Sequence, residues 1–172
     1  LFLSVLSLAI GNERGEVLGF PFISFLAPGL IAMSIIQQSF AHSSSSLMIG
    51  KIQGIIIDNL LAPLSATEVS LAIILAAVTR SIVITIISIV VFSLIIEIHI
   101  YNIFYIFIFA FLGSFILGAL GFIAGLWAEK FDHMATVTNF IITPLSFLSG
   151  VFYSVDRLPS FFQSISKVNP FF

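Results

Sequence analysis

Five apolar segments, separated by short polar stretches, dominate this chain. A helix needs about 20 apolar residues to cross a bilayer, and four of the segments are long enough. The first segment is shorter, and we interpret it as the end of a span that begins before Leu1. On this interpretation the chain is an internal fragment of a longer protein. The predicted spans cover about residues 1–11 (partial), 22–42, 69–96, 103–127 and 134–154.

A short amphipathic segment at 50–61 separates the second and third spans. The spacing of its apolar residues predicts one helix face, with Lys51 and Asp58 on another face and Pro63 ending the helix. The apolar face comprises Ile52, Ile55, Ile56 and Leu60. The serine run at 43–46, just before this segment, is interpreted as the end of the second span and its exit from the membrane.

The third span is preceded by a signal for the start of a helix. Ser65 and Glu68 have the Ser-x-x-Glu spacing of a capping box, in which each side chain accepts a hydrogen bond from the other residue's backbone N–H. A new helix is therefore predicted to begin near Ala66.

A second amphipathic segment, at 156–169, follows the last span. Its apolar residues repeat at i, i+3, i+4 and i+7, and it is too short to cross a bilayer. We expect it to lie on the membrane or to dip into it. Three predicted crossings separate it from the segment at 50–61, so the two should lie on opposite sides. The apolar residues are Leu158, Phe161, Phe162 and Ile165, flanked by Pro159 and Asn169-Pro170.

Composition supports a membrane protein. Hydrophobic residues make up 59% of the chain and charged residues 8%, whereas a soluble domain has about 25% charged residues. A soluble core of this size could not bury so much apolar surface. The net charge of −2 gives no reason to expect nucleic acid as a partner. Lysine and arginine are spread evenly between the two predicted sides, so they do not decide the orientation.

The sequence lacks the motifs that would indicate a catalytic or nucleotide-binding site. No phosphate-binding loop of the Gly-x-x-x-x-Gly-Lys-Ser/Thr type occurs, and neither does Gly-x-Ser-x-Gly. The chain has no cysteine, and His42, His99 and His133 are too scattered for a metal site. The sequence therefore predicts a chain without enzymatic activity, metal or cofactor of its own.

Charged and small residues inside the spans allow more than one interpretation. Arg80 lies well within an apolar stretch. It either contacts a substrate or a lipid phosphate, or extends to the membrane surface with its stem in the apolar layer. In the fourth span, the Gly121-x-x-x-Gly125 spacing predicts close packing of helix backbones, with lining of a transport pathway as the minority alternative.

The fifth span is unusually polar. Pro144 should kink it and leave a backbone carbonyl free, which nearby hydroxyl groups could satisfy. Lining of a pathway and ordinary hydrogen bonding between helices are equally compatible with this composition. The polar residues are Thr136, Thr138, Asn139, Thr143, Ser146 and Ser149.

Three strings in this order resemble one protein family over nearly the whole chain. They are residues 25–34 (FLAPGLIAMS), 60–68 (LLAPLSATE) and 143–153 (TPLSFLSGVFY), the last followed by Leu158-Pro159 and Asn169-Pro170. They resemble the membrane subunits of type-2 ATP-binding-cassette (ABC) exporters. The chain is most similar to bacterial permeases that export polysaccharides, nodulation factors or drugs.

The resemblance implies an all-α, polytopic transmembrane helix bundle with six spans, of which this chain has part of the first and lacks the sixth. Both termini of the full protein would be cytoplasmic. The segment at 50–61 would be the coupling helix, which rests in a groove of a separate ATPase subunit that binds ATP and Mg²⁺. The permease would be a homodimer in the inner membrane of a bacterial cell.

Two sets of site residues follow from the resemblance. The residues expected to contact the ATPase are Lys51, Ile52, Ile55, Ile56, Asp58, Leu60 and Glu68. The residues expected to line the pathway or its outer gate are Thr143, Pro144, Ser146, Ser149, Gly150, Leu158, Pro159, Phe161, Phe162 and Asn169. The alternatives are a secondary transporter or channel without an ATPase, which needs intramembrane carboxylates or broken helices, and, less favoured, a membrane-embedded transferase.

Overall fold

The computed structural model describes residues 16–17, 20–94 and 102–149, together with positions 159, 163–164, 166 and 169 near the C-terminus. The predicted partial span at 1–11 lies outside this part of the chain. So do four of the predicted gate residues, Gly150, Leu158, Phe161 and Phe162.

The described elements are helices and short turns, together with one short antiparallel pairing between β1 (Glu16–Val17) and β2 (Phe20–Pro21). The helices follow in chain order. They are α1 (Phe22–Ile52), α2 (Ile55–Leu61), α3 (Ala66–Ser93), α4 (Ile103–Trp127), α5 (Phe131–Val137), a π-helix (Thr138–Ile142) and α6 (Thr143–Phe147).

Helices α1, α3 and α4 form a bundle in which each helix packs against the other two. From Ile35 onward the buried residues of α1 recur as adjacent pairs every four positions, a spacing that keeps them on one continuous ridge of the helix. They are Ile35, Ile36, Ser39, Phe40, Ser43, Ser44, Leu47 and Met48. This ridge is the centre of the protein's interior.

The glycines of α4 allow it to approach α1 closely. A Cβ added at Gly121 would collide with the backbone of Phe40, and one at Gly125 would lie 3.0 Å from the carbonyl oxygen of Ser44. These contacts confirm that the small-xxx-small spacing brings two backbones together. They also show that α1 and α4 run parallel, because residue numbers rise together along the contact.

The outer faces of α3 and α4 are apolar and exposed. Both helices are long and apolar enough to cross a membrane. Lipid tails are as apolar as these side chains, so a bilayer can cover such a surface. The exposed residues include Leu71, Leu75, Val83, Ile87 and Val90 on α3, and Phe104, Phe109, Leu112, Ile116 and Ile123 on α4.

Helix α1 extends further than the predicted second span. The serine run at 43–46, expected to mark a helix end, lies inside α1, which continues to Ile52. The hydroxyl groups of Ser44 and Ser45 donate to the carbonyl oxygen of Ala41 in the preceding turn. Serines whose hydroxyl groups bond to the preceding turn do not interrupt a helix, and their small side chains fit against α4. The expectation of a helix end at 43–46 was therefore wrong.

The helix predicted at 134–154 is divided. It begins at Phe131 and continues as α5, the π-helix and α6. A π-helix accommodates one extra residue in a helical turn, and here it directly precedes Pro144, which cannot donate a backbone hydrogen bond. Proline therefore explains why the helix is irregular at this place.

Candidate coupling and gating elements

A sharp break in the backbone separates α1 from α2. Gly54 has φ 76° and ψ −2°, in the left-handed region that favours glycine. Just before it, the N–H of Gln53 still donates to the carbonyl oxygen of Ile49 at 2.9 Å. The predicted single amphipathic helix is therefore two pieces: Lys51 and Ile52 belong to the last turn of α1, and the rest forms α2.

Apolar side chains around this break are exposed. Ile56 is half-buried, Asp58 is exposed, and the side chain of Leu60 lies outside the described part of the chain. Ile57 and Leu61 were missed by the sequence pattern, because that pattern assumed one continuous helix and the break at Gly54 reorients the second piece. The exposed fractions are 59% for Ile52, 47% for Ile55, 58% for Ile57 and 79% for Leu61.

Lys51 turns away from this exposed surface. Its ammonium group donates to the carbonyl oxygens of Gly125, Leu126 and Ala128, at 2.8, 2.6 and 3.0 Å. The last carbonyls of a helix have no partner within the helix and carry partial negative charge, so a lysine satisfies both requirements. Lys51 therefore ties the end of α1 to the end of α4, whereas the family resemblance implied an ATPase contact.

The capping box at the start of α3 is present. The N–H of Glu68 donates to Ser65 Oγ at 3.3 Å, and the N–H of Ser65 donates to Glu68 Oε2 at 2.7 Å. Ser65 Oγ also donates to the same carboxylate oxygen at 2.7 Å. The Glu68 carboxylate, predicted to contact the ATPase, is therefore engaged in fixing the start of α3.

Polar residues of the predicted gate lie directly after the π-helix, where they form hydrogen bonds to the backbone. The hydroxyl group of Thr143 donates to the carbonyl oxygen of Thr138 at 2.9 Å, five residues back, and the N–H of Thr143 donates to the same oxygen. Ser146 is fully buried and its hydroxyl group donates to the carbonyl oxygen of Ile142 at 2.7 Å. Both hydroxyl groups therefore bond to backbone carbonyls that precede Pro144 in the chain.

The described residues near the C-terminus fold back onto α6. Asn169 Nδ2 donates to the carbonyl oxygen of Leu145 at 2.7 Å, and Ser166 Oγ donates to that of Leu148 at 3.0 Å. Asn169 and Ser166 are both buried, while Pro159 is exposed. The segment thus returns to the helix it follows.

Arg80 has a partner on another helix. Its Nη1 lies 2.9 Å from Nδ1 of His42 on α1, and the guanidinium group is exposed. Among the described residues no carboxylate pairs with it, and no cluster of His, Asp and Glu could hold a metal ion. Within the described residues Arg80 therefore pairs with a histidine ring and not with a carboxylate.

The sequence profile of one protein family, the ABC-2 type transporters, matches residues 1–172. The chain belongs to the ABC-2 type transporter family. It is also 29% identical, over 170 residues, to the inner membrane transport permease YadH of Escherichia coli K12, of Escherichia coli O157:H7 and of Shigella flexneri. These alignments cover 99% of this chain and 66% of the relatives, so the chain spans about two thirds of their length. No solved structure matches it significantly.

Family membership confirms the predicted family and the all-α transmembrane fold of a bacterial transporter domain. Together with the apolar helices and the relatives' name, it places the chain in the inner membrane, as predicted. The comparisons do not reach individual residues. The residues assigned to coupling and gating therefore stay predictions, apart from the different contacts found for Lys51 and Glu68.

Proposed function

We propose that this chain is the membrane domain of the permease subunit of an ATP-driven exporter. A separate ATPase subunit, which binds ATP and Mg²⁺, would drive it, and two permease copies would enclose the pathway. The observation that carries the proposal is α2, a helix of seven residues that connects two long helices and exposes apolar side chains. We assign export as the direction of transport because the sequence resembles exporters.

Helix α2 has the features of a docking element. Ile55, Ile57 and Leu61 are exposed, and Asp58 is exposed among them. The neighbouring capping box and the lysine-capped end of α4 are polar. Apolar side chains at a polar end of a bundle favour contact with another protein. A groove of the ATPase would cover this surface.

A bend and two fixed points flank α2 in a way that suits force transmission. Gly54 forms a bend before it, and the capping box of Ser65 and Glu68 fixes the start of α3 after it. Lys51 holds the end of α1 against α4. Movement of α2 by the ATPase would therefore act on α1, α3 and α4 through short connections, which is how nucleotide binding would shift the permease between states.

The pathway itself would involve α1 and the divided helix α5–α6. π-Helices are common at functional sites, and this one adjoins the buried Ser146 and the returning segment around Asn169. Three helical passes separate this region from α2, so it would lie at the opposite end of the bundle. We propose that Thr143, Ser146, Ser149 and Asn169 belong to the outer gate, beside Pro144 and Pro159.

Substitutions on α2 test this function. The double variant Ile55→Ser/Ile57→Ser and the charge reversal Asp58→Lys would be made in the full-length permease, expressed with its ATPase. We expect at least a tenfold loss of substrate-stimulated ATPase activity and of co-purified ATPase, with normal membrane insertion. Leu126→Ser, an exposed leucine at the end of α4, is the control. Unchanged ATPase stimulation and co-purification in the double variant and in Asp58→Lys would exclude α2 as the docking element. A wild-type permease that neither binds nor stimulates the ATPase would instead favour a channel that needs no ATPase.

A further inference from the structure

We propose that Arg80 and His42 form a binding site for the phosphate group of an anionic lipid, at the membrane surface nearest α2. Arg80 is the single charged residue between positions 69 and 93 of the sequence. A charge inside an apolar span is costly and usually has a binding partner. The position of this guanidinium group, its contact with His42 and its surroundings indicate what that partner is.

The contact with His42 fixes the hydrogen-bonding character of the pair. Arginine has only donors, so Nη1 of Arg80 donates and Nδ1 of His42 accepts across the 2.9 Å between them. The proton of the neutral imidazole ring is then on Nε2. The remaining groups of the pair, four guanidinium N–H bonds and one imidazole N–H, are all donors. Such a set fits an oxyanion and offers nothing to a cation.

No anion from the described part of the protein occupies these donors. Within residues 20–94 and 102–149, the His42 ring is the one hydrogen-bond partner of the Arg80 side chain, and no carboxylate lies within ion-pair distance. A guanidinium group that is exposed and uncompensated at an apolar surface gains most from a charged oxygen. Arginine with phosphate forms strong, often bidentate hydrogen bonds.

The pair lies at the depth of lipid headgroups. His42 follows Phe22, the first residue of α1, by about 20 residues, or about 30 Å of helix, which is the thickness of the hydrocarbon layer. Side chains on a helix lean toward its N-terminus, so Arg80 extends toward the end of α3 that adjoins α2. Its guanidinium group therefore reaches the level of His42.

The surroundings of Arg80 suit a lipid better than a soluble ion. Val83 and Ile87 on the same helix are exposed, and they form an apolar surface on the membrane side of the arginine. Acyl chains would lie against these side chains while the phosphate group meets the donors. Soluble phosphate would gain only the polar contacts. This site is independent of the proposed transport activity, because it needs neither ATP nor a substrate.

Lipid titration of the full-length permease in detergent tests the proposal. Binding of phosphatidylglycerol would be measured by native mass spectrometry for the wild type, Arg80→Gln, Arg80→Lys and His42→Ala. We expect Arg80→Gln to weaken binding about tenfold, as loss of a charge-assisted hydrogen bond does. Arg80→Lys, which keeps the charge but loses the planar fork, and His42→Ala should each lose about threefold. If Arg80→Gln does not fold, the lipid affinities of Arg80→Lys and His42→Ala test the proposal instead.

Two controls distinguish a specific lipid site from a general effect of charge and from a site for soluble phosphate. Lys130→Gln removes the same charge from an exposed position and should leave lipid affinity unchanged. An equal loss in Lys130→Gln, or none in the Arg80 and His42 variants, would overturn the proposal. Inorganic phosphate at millimolar concentration should not displace the lipid. If it binds the wild type as tightly as phosphatidylglycerol does, the site takes a soluble phosphate instead and the lipid proposal is wrong.

Discussion

The ammonium group of Lys51 lies 2.8 Å from the carbonyl oxygen of Gly125, although the two residues are 74 positions apart. Further hydrogen bonds to the carbonyls of Leu126 and Ala128 complete the cap at the end of α4. Gly54 bends the chain only three residues after Lys51, so the fixed end of α1 and the bend before α2 are adjacent.

Replacing Lys51 by methionine should destabilise the protein by about 1 kcal/mol, since it removes a cation from a helix C-terminus. Lys51→Arg should retain most of the stability, because arginine can also donate to several carbonyls. The free energy of unfolding would be measured by denaturant titration of the full-length protein in detergent. Lys130→Met, at an exposed residue, is the control. Equal stability of Lys51→Met and Lys130→Met would mean that the cap contributes nothing.

Gly121→Ala should be far more disruptive than Gly113→Ala. A methyl group at Gly121 meets the backbone of Phe40, which cannot rotate away, whereas nothing lies within 4 Å of a Cβ at Gly113. Overpacking costs about 1–3 kcal/mol, and a clash with backbone should reach or exceed the upper end. Gly113→Ala should be neutral or slightly stabilising, because alanine favours helix. Thermal unfolding of the two variants would be monitored by size-exclusion chromatography of the heated samples. Equal unfolding midpoints for the two variants would contradict this prediction.

The sequence predicted that α4 packs closely against another helix, but it did not predict which helix, or where the neighbouring helices end. Gly121 and Gly125 act through their small size, which is visible in the sequence. Ser65 and Glu68 act within one turn, so their spacing was sufficient. Lys51 binds backbone carbonyls, which every residue has, and no sequence pattern marks those acceptors.

The π-helix shows a similar limit. Pro144 predicts an irregular helix, but several local arrangements accommodate a missing donor. The structure has the arrangement in which the Thr143 hydroxyl group donates to the carbonyl oxygen of Thr138.

The prediction from serines 43–46 was wrong because it considered only their polarity. Polarity suggested an exit from the membrane, whereas the small size of these side chains lets α1 continue along α4. The role of a serine in a helix thus depends on what packs against it.

Two buried serines of α1 should respond differently to alanine. Ser43 Oγ is buried and has no hydrogen-bond partner in the described structure, whereas Ser39 Oγ donates to the carbonyl oxygen of Ser114 on α4. Ser43→Ala should therefore be neutral or stabilising. Ser39→Ala should lose about 0.6 kcal/mol, the average for hydrogen bonds between membrane helices. Unfolding titrations of both variants give the comparison, and a larger loss for Ser43→Ala would show that its hydroxyl group has a role of its own.

Gly54 and Gly50 form a matched pair for the bend before α2. Gly54→Ala forces a Cβ into left-handed backbone at φ 76°, which costs about 1–2 kcal/mol. Gly50 lies inside α1 with open space around it, so Gly50→Ala should stabilise the helix by up to about 1 kcal/mol. Neither substitution removes a hydrogen-bonding side chain, so the difference in stability between the two variants reports on the backbone.

In the full-length complex, Gly54→Ala should also lower substrate-stimulated ATPase activity severalfold, because α2 can no longer keep its angle to α1. Retention of full stimulation together with the expected loss of stability would show that the bend shapes the fold but does not transmit movement.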